Sequence, residues 1–322
     1  FKPDDPNVVY GGSQIGGPSG IFKSTDNGQS WTQLTNGLPT SGVERCHIAV
    51  TPANPSVVYA LFCGSDEGFY GIYKSVDEGA SWTVQADSSN APNLLGWSTD
   101  GTDSGGQGWY DLALTVSPTD ENLLIVGGVN SWKSTDGGQN WNISSHWYGG
   151  GGTEYKHADV HYLRYNSANN RLYSANDGGL YFSDNDGLNW TDISDGLQIT
   201  QFYRSGLSQT DPELIIAGAQ DNGTFLMDGI NSWSSVRGGD GMECAIDPNN
   251  PDVMYSTVYY GALSKSTNGG GNFNDIAPAN DGAWVTPFVL DPSNSNRIIA
   301  GYTEVWESLD GRDNWSTLTN GQ

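Results

Sequence analysis

SVDEGASW at residues 75–82 decides how this chain is read. Its pattern, Ser-x-Asp-x-Gly-x-x-Trp, describes a tight turn between two strands. The Asp carboxylate accepts bonds from nearby backbone N–H groups, Gly takes a positive φ, and Trp anchors the turn to its sheet. Two further copies are complete, STDNGQSW at 24–31 and STDGGQNW at 134–141. Four are worn. SDNDGLNW at 183–190 has Asn185 in the Asp place, and LMDGINSW at 226–233 keeps Asp228 and Trp233. STNGGGNF at 266–273 carries Asn268 and Phe273, while SLDGRDNW at 308–315 keeps Asp310 and Trp315 but has Arg312 in the Gly place. Asp26, Asp77, Asp136, Asp228 and Asp310 are therefore read as structural. The first positions lie 40 to 59 residues apart, close to the repeat of a propeller blade.

A second signal keeps step with the box. A Pro- or Asn-containing turn and a short apolar strand precede each copy: DPNVVY ending at Tyr10, NPSVVY at Tyr59, ENLLIV at Val126, NNRLY at Tyr173, DPELII at Ile216, NPDVMY at Tyr255 and NSNRII at Ile299. Each repeat then reads as strand A, turn, strand B, variable loop, strand C, box and strand D. Apolar alternation supports strands, and no segment sustains a helical period. The expected fold is all-β, a seven-bladed β-propeller spanning residues 1–322. Blade 1 lacks most of strand A, because only FKP precedes its turn, so the chain is expected to be part of a longer protein whose other domains are partners.

Composition agrees with this reading. Twelve Trp, 16 Tyr and 9 Phe supply an aromatic-rich core, and 44 Gly with 14 Pro supply turns. The formal net charge of −24 repels nucleic-acid backbones and anionic membranes, leaving cations, neutral sugars and proteins as partners. No apolar run approaches the roughly 20 residues needed to span a bilayer, so direct membrane insertion is not expected. An acidic, Lys-poor surface suits an extracellular or bacterial cell-surface protein.

With these residues in view, the chain resembles the BNR/Asp-box repeat proteins, whose relatives include sialidases, family 74 xyloglucanases, the Vps10/sortilin ectodomains and the photosystem II assembly factor Ycf48. Segments such as GGQGWYDLALTVSPTDENLLIVGGVNSWKSTDGGQNW, KHADVHYL and AGAQDNGTF resemble large secreted repeat proteins of Bacteroidetes-type bacteria. The resemblance implies a propeller; its members range from hydrolases to docking modules. A sialidase is expected to use an Arg triad, yet only Arg45 and Arg204 align near the ends of inner strands. A family 74 hydrolase is expected to need two carboxylates across a cleft.

Topology sorts the candidate site. The A–B turns and boxes share one rim, so the B–C and D–A loops gather on the other. The longest insertions lie there, at 87–108 and 144–156, and loops of that length in a compact repeat are often functional. They and the adjoining strand ends concentrate Trp97, Trp109, Tyr110, Trp147, Tyr148, Tyr155 and Trp284, beside Asp111, Asp159, Asp177, Asp221, Asp240 and Asp281. Rings that stack on sugar C–H faces, with carboxylates for hydroxyls, compose a carbohydrate site. The ligand-binding expectation rests on Trp97, Trp109, Tyr110, Trp147, Tyr148, Trp284 and Asp221. The competing view is that these rings pack the loops onto the barrel. The catalytic candidates are Asp111 with Asp159 or Asp240. The alternatives are thus a carbohydrate-binding scaffold, a glycoside hydrolase and a protein-docking propeller.

His157, Asp159 and His161 share one face of a strand, but the two His lie about 13 Å apart along it, too far to hold one ion without a bulge. No cofactor is required by the sequence. Ca²⁺ is a possible ligand of Asp184 and Asp186 in DNDG, with oxygen-rich loops at Asn176 and Gln220. Cys46 and Cys63 flank the A–B hairpin of blade 2, and a turn centred on Asn54–Pro55 would set them opposite each other as a disulfide. Cys244 is expected to be a buried free thiol.

Overall fold

The computed structural model describes residues 1–13, 20–229, 232–312 and 314–319. Ile230 and Asn231 of the fifth box and Asp313 of the seventh lie outside the described residues. Among those described, no helix is long and apolar enough to cross a membrane. The chain gathers into two compact units, Phe1–Leu197 and Gln198–Gln322.

The first unit holds four antiparallel meander sheets, the blades. Blade 1 has three strands, Val9–Gly12, Ile21–Ser24 and Thr32–Leu34. Blade 2 has all four, Val43–Val50, Val58–Gly64, Phe69–Ser75 and Thr83–Asp87. Blade 3 comprises Ala113–Val116, Leu124–Gly127, Ser131–Ser134 and Asn142–Ser145. Blade 4 comprises Val160–Tyr165, Leu172–Asn176, Gly179–Ser183 and Thr191–Asp192.

The second unit holds three four-stranded blades. Their strands begin at Arg204–Leu207, Gly241–Ile246 and Phe288–Asp291 and end at Trp233–Arg237, Asn274–Asp275 and Trp315–Thr317.

The box forms as its residue types require. In blade 2, Ser75 Oγ donates to Asp77 Oδ1 at 2.8 Å and accepts the Gly79 N–H at 2.7 Å. Asp77 then accepts the Ser81 N–H at 2.8 Å and its hydroxyl at 2.6 Å. Glu78 and Gly79 both take the left-handed region, at φ 59° and 90°, which is why Gly stands at the second. The hydroxyl of Ser81, with the bonds from the backbone and Ser75, pushes Asp77 down to about 2. Asp26 is lowered in the same way by Ser30.

An amide oxygen serves as well as a carboxylate. Asn185 accepts from Ser183 and from the Asn189 N–H, both at 2.9 Å. In blade 7, where Arg312 replaces Gly, the left-handed residue is Gly311 at φ 65°, one position earlier. Asp228 makes none of the box bonds seen elsewhere among the described residues; Gly229 beside it turns at φ 86°.

The box Trp becomes a wedge. Trp82 is buried in a cluster with Ile21 of blade 1 and Val58, Ala60 and Phe62 of blade 2. Trp141 joins Tyr59 and Ile72 of blade 2 to Leu114 and Leu124 of blade 3. Trp190 joins Ala113 and Ile125 to Val160 and Leu172. Full burial of such a side chain contributes roughly 1.5–3 kcal/mol.

The hairpin expected to carry the disulfide is one residue out of register. Cys46 pairs with Phe62, and Cys63 with Arg45. A single-residue slip turns a side chain to the other face. Cys46 packs with the blade 1–blade 2 cluster and Cys63 with the blade 2–blade 3 cluster. The disulfide expectation is therefore corrected: Cys46, Cys63 and Cys244 are all free thiols. Burial pushes Cys46 up to about 11 and Cys63 to about 12. Alkylation in denaturant without reductant should label three thiols, and native protein at pH 8 should label almost none; recovery of a Cys46–Cys63 linked peptide would refute the register.

Candidate functional site

The insertion at 87–108 is fixed from its interior. Asn93 Oδ1 accepts the Phe69 and Leu95 N–H groups at 3.0 and 3.3 Å, while Nδ2 donates to the Asp103 and Gly105 carbonyls at 3.1 and 2.7 Å. Leu94 and Leu95 are buried in the core beneath. Asp103 accepts the Trp97 N–H at 2.6 Å and the Ser98 hydroxyl at 2.6 Å.

Two buried polar residues tie this loop to the one at 144–156. Asn130 Nδ2 donates to the Gly96 and Trp97 carbonyls, each at 3.1 Å, and its Oδ1 accepts the Trp147 N–H at 3.2 Å. His146 Nε2 lies 2.9 Å from the Trp97 carbonyl. A carbonyl only accepts, so Nε2 carries the proton and Nδ1 is free to accept the Tyr148 N–H at 3.4 Å. The backbones of Trp97 and Trp147 therefore share one anchor. The Trp147 and Tyr148 rings meet edge to face at 4.6 Å, with His146 against both.

A second group forms around Tyr110. Arg45 Nη1 donates to three successive carbonyls, Gly108 at 3.4 Å, Trp109 at 3.0 Å and Tyr110 at 2.8 Å. The Tyr110 hydroxyl donates to Asp177 Oδ2 at 2.6 Å, and His161 Nε2 meets Asp177 Oδ1 at 2.7 Å. The Tyr110 ring stands edge-on to His161 at 4.8 Å and tilted against Trp109 at 5.5 Å. The hydrogen bond to Asp177 raises His161 above its ordinary value. Trp97, Trp109, Tyr110, Trp147 and Tyr148 are all exposed, by 36% to 61%.

Beneath Tyr110 lies a carboxyl pair. Gln107 Nε2 donates to Asp159 Oδ1 at 2.6 Å and Asp111 Oδ2 at 3.3 Å. Asp111 is fully buried and its Oδ1 has no conventional donor. Burial, then the Asp159 charge, raises Asp111 far above the carboxylate range. Burial and Asp177 raise Asp159 as well. Joint ionisation is disfavoured for two like charges bridged by one amide. Asp159 takes a positive φ of 62° to reach it.

Of the catalytic candidates, Asp111 and Asp159 come together, bridged by Gln107 Nε2. Asp240 belongs to the second unit, where its Oδ1 accepts the Asp221 N–H at 2.8 Å. Trp284 also lies in that unit, stacked on Tyr259 at 5.7 Å and 10° and edge-on to Tyr260. Asp184 is engaged by Arg171 at 2.7 Å, and Asp186 accepts the Tyr165 hydroxyl at 2.9 Å.

Sequence reading missed Arg45 as a loop anchor, and it missed Asn93, Gln107, Asn130, His146, Tyr259 and Tyr260. The adjacent Tyr259–Tyr260 pair before strand Ala262–Ser266 was the one local signal.

Fold and rim together define the class: this is an all-β protein, a seven-bladed β-propeller with exposed aromatic side chains on anchored loops. No family model matches the chain. It is similar to a xyloglucanase of Hypocrea jecorina (strain QM6a), 29% identical over 151 residues, which cover 43% of this chain and 16% of that protein. Among solved structures it is similar to the family 74 xyloglucanase of Xanthomonas campestris, with 18% identity, a TM-score of 0.44, and coverage of 100% of this chain and 54% of that one. Ycf48 from Cyanidioschyzon merolae is similar at 15% identity and a TM-score of 0.38, over 96% of this chain and 92% of that one. The chain spans 16% of its curated xyloglucanase relative and about half of the xyloglucanase structure, at 54%.

Asp111 is neutral in the fold, whereas in the unfolded chain it ionises near its ordinary 3.8. A raised acid pKa means that the folded state binds more protons, so stability falls as pH rises above about 4. Asp111→Asn keeps the shape of the side chain and removes the titration. The variant should gain melting temperature relative to wild type between pH 5 and pH 8.5, each kcal/mol appearing as about 2–4 °C; parallel pH profiles would refute the raised Asp111.

Proposed function

We propose that the protein binds carbohydrate through the aromatic loop rim of its first unit and acts as an exported or cell-surface recognition scaffold. The observation that carries this reading is the set of exposed rings at Trp97, Trp109, Tyr110, Trp147 and Tyr148, held on backbones that Asn93, Asn130, His146 and Arg45 immobilise. Rigid, amphipathic rings present sugar-sized apolar faces with little ordering cost on binding. The similarity to a xyloglucanase supports a polysaccharide as the ligand class. The same similarity keeps glycoside hydrolysis as the second reading. Trp284 on Tyr259 is proposed as a second platform, in the other unit, and Ca²⁺ as an accessory ligand.

A polysaccharide panel that includes xyloglucan, screened for binding with and without chelator and followed by product analysis, tests this. We expect binding without cleavage. Trp109→Ala and Trp147→Ala should each weaken it by about fivefold or more, the scale of an interface anchor costing over 1 kcal/mol. No binding anywhere in the panel, or binding unchanged in both variants, would refute the rim as the site; released oligosaccharides would favour the hydrolase.

A further inference from the structure

The repeats contain an internal control that exposes a different site. A lysine directly precedes the first box position in four blades: Lys23, Lys74, Lys133 and Lys265. Three of them act as latches to the next blade. Each lies over the ring of the Tyr opposite it in strand B, Lys23 over Tyr10 at 5.6 Å, Lys74 over Tyr59 at 5.3 Å and Lys265 over Tyr255 at 5.2 Å. Each ammonium then donates across the blade boundary: Lys23 to the Glu78 carbonyl at 2.9 Å, Lys74 to Asn122 Oδ1 at 3.1 Å and Lys265 to the Gly311 carbonyl at 2.8 Å. The hydroxyls of Tyr10 and Tyr59 reinforce the latch by donating to the Glu78 and Glu121 carbonyls, both at 3.0 Å.

Lys133 breaks the pattern. The residue opposite it is Ile125, which supplies neither ring nor hydroxyl. Of the six lysines, Lys133 is the one whose ammonium has no hydrogen bond or ion pair among the described residues. A groove of about 440 Å³ opens where the latch would close, lined by Lys133, Thr135, Asn142, Ile143, Ser144, Thr153, Glu154, Gly187 and Leu188. The corresponding groove between blades 1 and 2, where Tyr10 is present, holds about 280 Å³.

We infer that the groove between blades 3 and 4 is a peptide-binding site, in which Lys133 pairs with an acidic side chain of an extended segment. Three features select this occupant. The ammonium is half-buried and without a partner among the described residues, so it favours a carboxylate over a neutral group. One wall is the outer strand Asn142–Ser145 of blade 3, and an edge strand offers backbone groups to a strand-like peptide. The apolar lining is aliphatic, Ile143 and Leu188, with no ring on which a pyranose would stack. Glu154 completes the wall and can accept a hydroxyl or amide donor of the same peptide. The site is separate from the carbohydrate rim and does not rest on it.

The test uses the whole chain and fluorescein-labelled, end-capped octapeptides of alternating Thr and Val with one central Glu, beside the Gln analogue. Fluorescence anisotropy should show saturable binding of the Glu peptide and about tenfold weaker binding of the Gln peptide, the scale of one charge-assisted hydrogen bond. Lys133→Met keeps the stem and should reduce Glu-peptide affinity to the Gln-peptide level at unchanged melting temperature. Ile125→Tyr restores the residue of the sibling blades, should draw Lys133 over its ring and narrow the groove, and should weaken the Glu peptide in the same way. Trp109→Ala should leave the peptide isotherm unmoved, which separates this site from the rim. Equal affinity for both peptides, binding indifferent to Lys133→Met, no peptide binding at all, or displacement of no peptide but Lys133-dependent capture of oligogalacturonide would each overturn the proposal.

Discussion

The serine hydroxyl at the first box position is the constraint on which the rest depends. It donates to the Asp or Asn oxygen two residues on and accepts the N–H four residues on, as Ser75 does with Asp77 and Gly79. One small side chain thereby supports a left-handed turn that would otherwise leave main-chain groups unpaired. The turn sets the direction of strand D and throws the box Trp back between two blades, as for Trp82, Trp141 and Trp190. Asn185 and Asn268 show that the turn needs an oxygen and not a charge.

Long loops can stand on this scaffold because buried polar side chains replace the sheet as their hydrogen-bonding partner. Asn93, Asn130 and Arg45 each serve three or four main-chain groups. An amide or guanidinium with several donors is more effective here than an apolar residue, since a buried carbonyl left unpaired costs about 1–3 kcal/mol. The result is a rim on which large rings stay exposed in small packed groups, Trp109 with Tyr110 and Trp147 with Tyr148, above hydrogen-bonded backbone.

The box was legible because it is local: eight residues carry both donors and acceptors, and the repeat spacing needs only counting. The aromatic rim was legible as composition and topology. Register was not, because the A–B turn of blade 2 differs by one residue from the expected centre and a bulge between Val43 and Arg45 shifts the far end. That slip put Cys46 and Cys63 on opposite faces. Nor were the loop anchors legible. Arg45 reaches carbonyls more than 60 residues away, and nothing in its neighbours HIAV or VE announces that contact. Asp111 and Asp159 carry charge in the sequence, whereas in the fold burial raises both above the ordinary Asp value.

The carboxylates divide into two classes with opposite responses to pH. Asp26 and Asp77 are held down to about 2 by serine hydroxyls and backbone N–H groups, so their contribution is present above the ordinary Asp value and is lost as pH falls toward 2. Asp111 and Asp159 are raised, so theirs is present at low pH and is lost as pH rises above about 4. The two slopes meet in mildly acidic solution. A chain of net charge −24 also sheds like-charge repulsion there as other carboxylates take up protons. The cations sharpen this balance. Arg45, Lys23 and Lys265 donate to carbonyl oxygens, which do not titrate, so the contacts that hold loops and blades survive the loss of carboxylate charge. An acidic exterior and a cation-latched interior are therefore two sides of one arrangement, in which acidification discharges the surface while the internal latches stay closed.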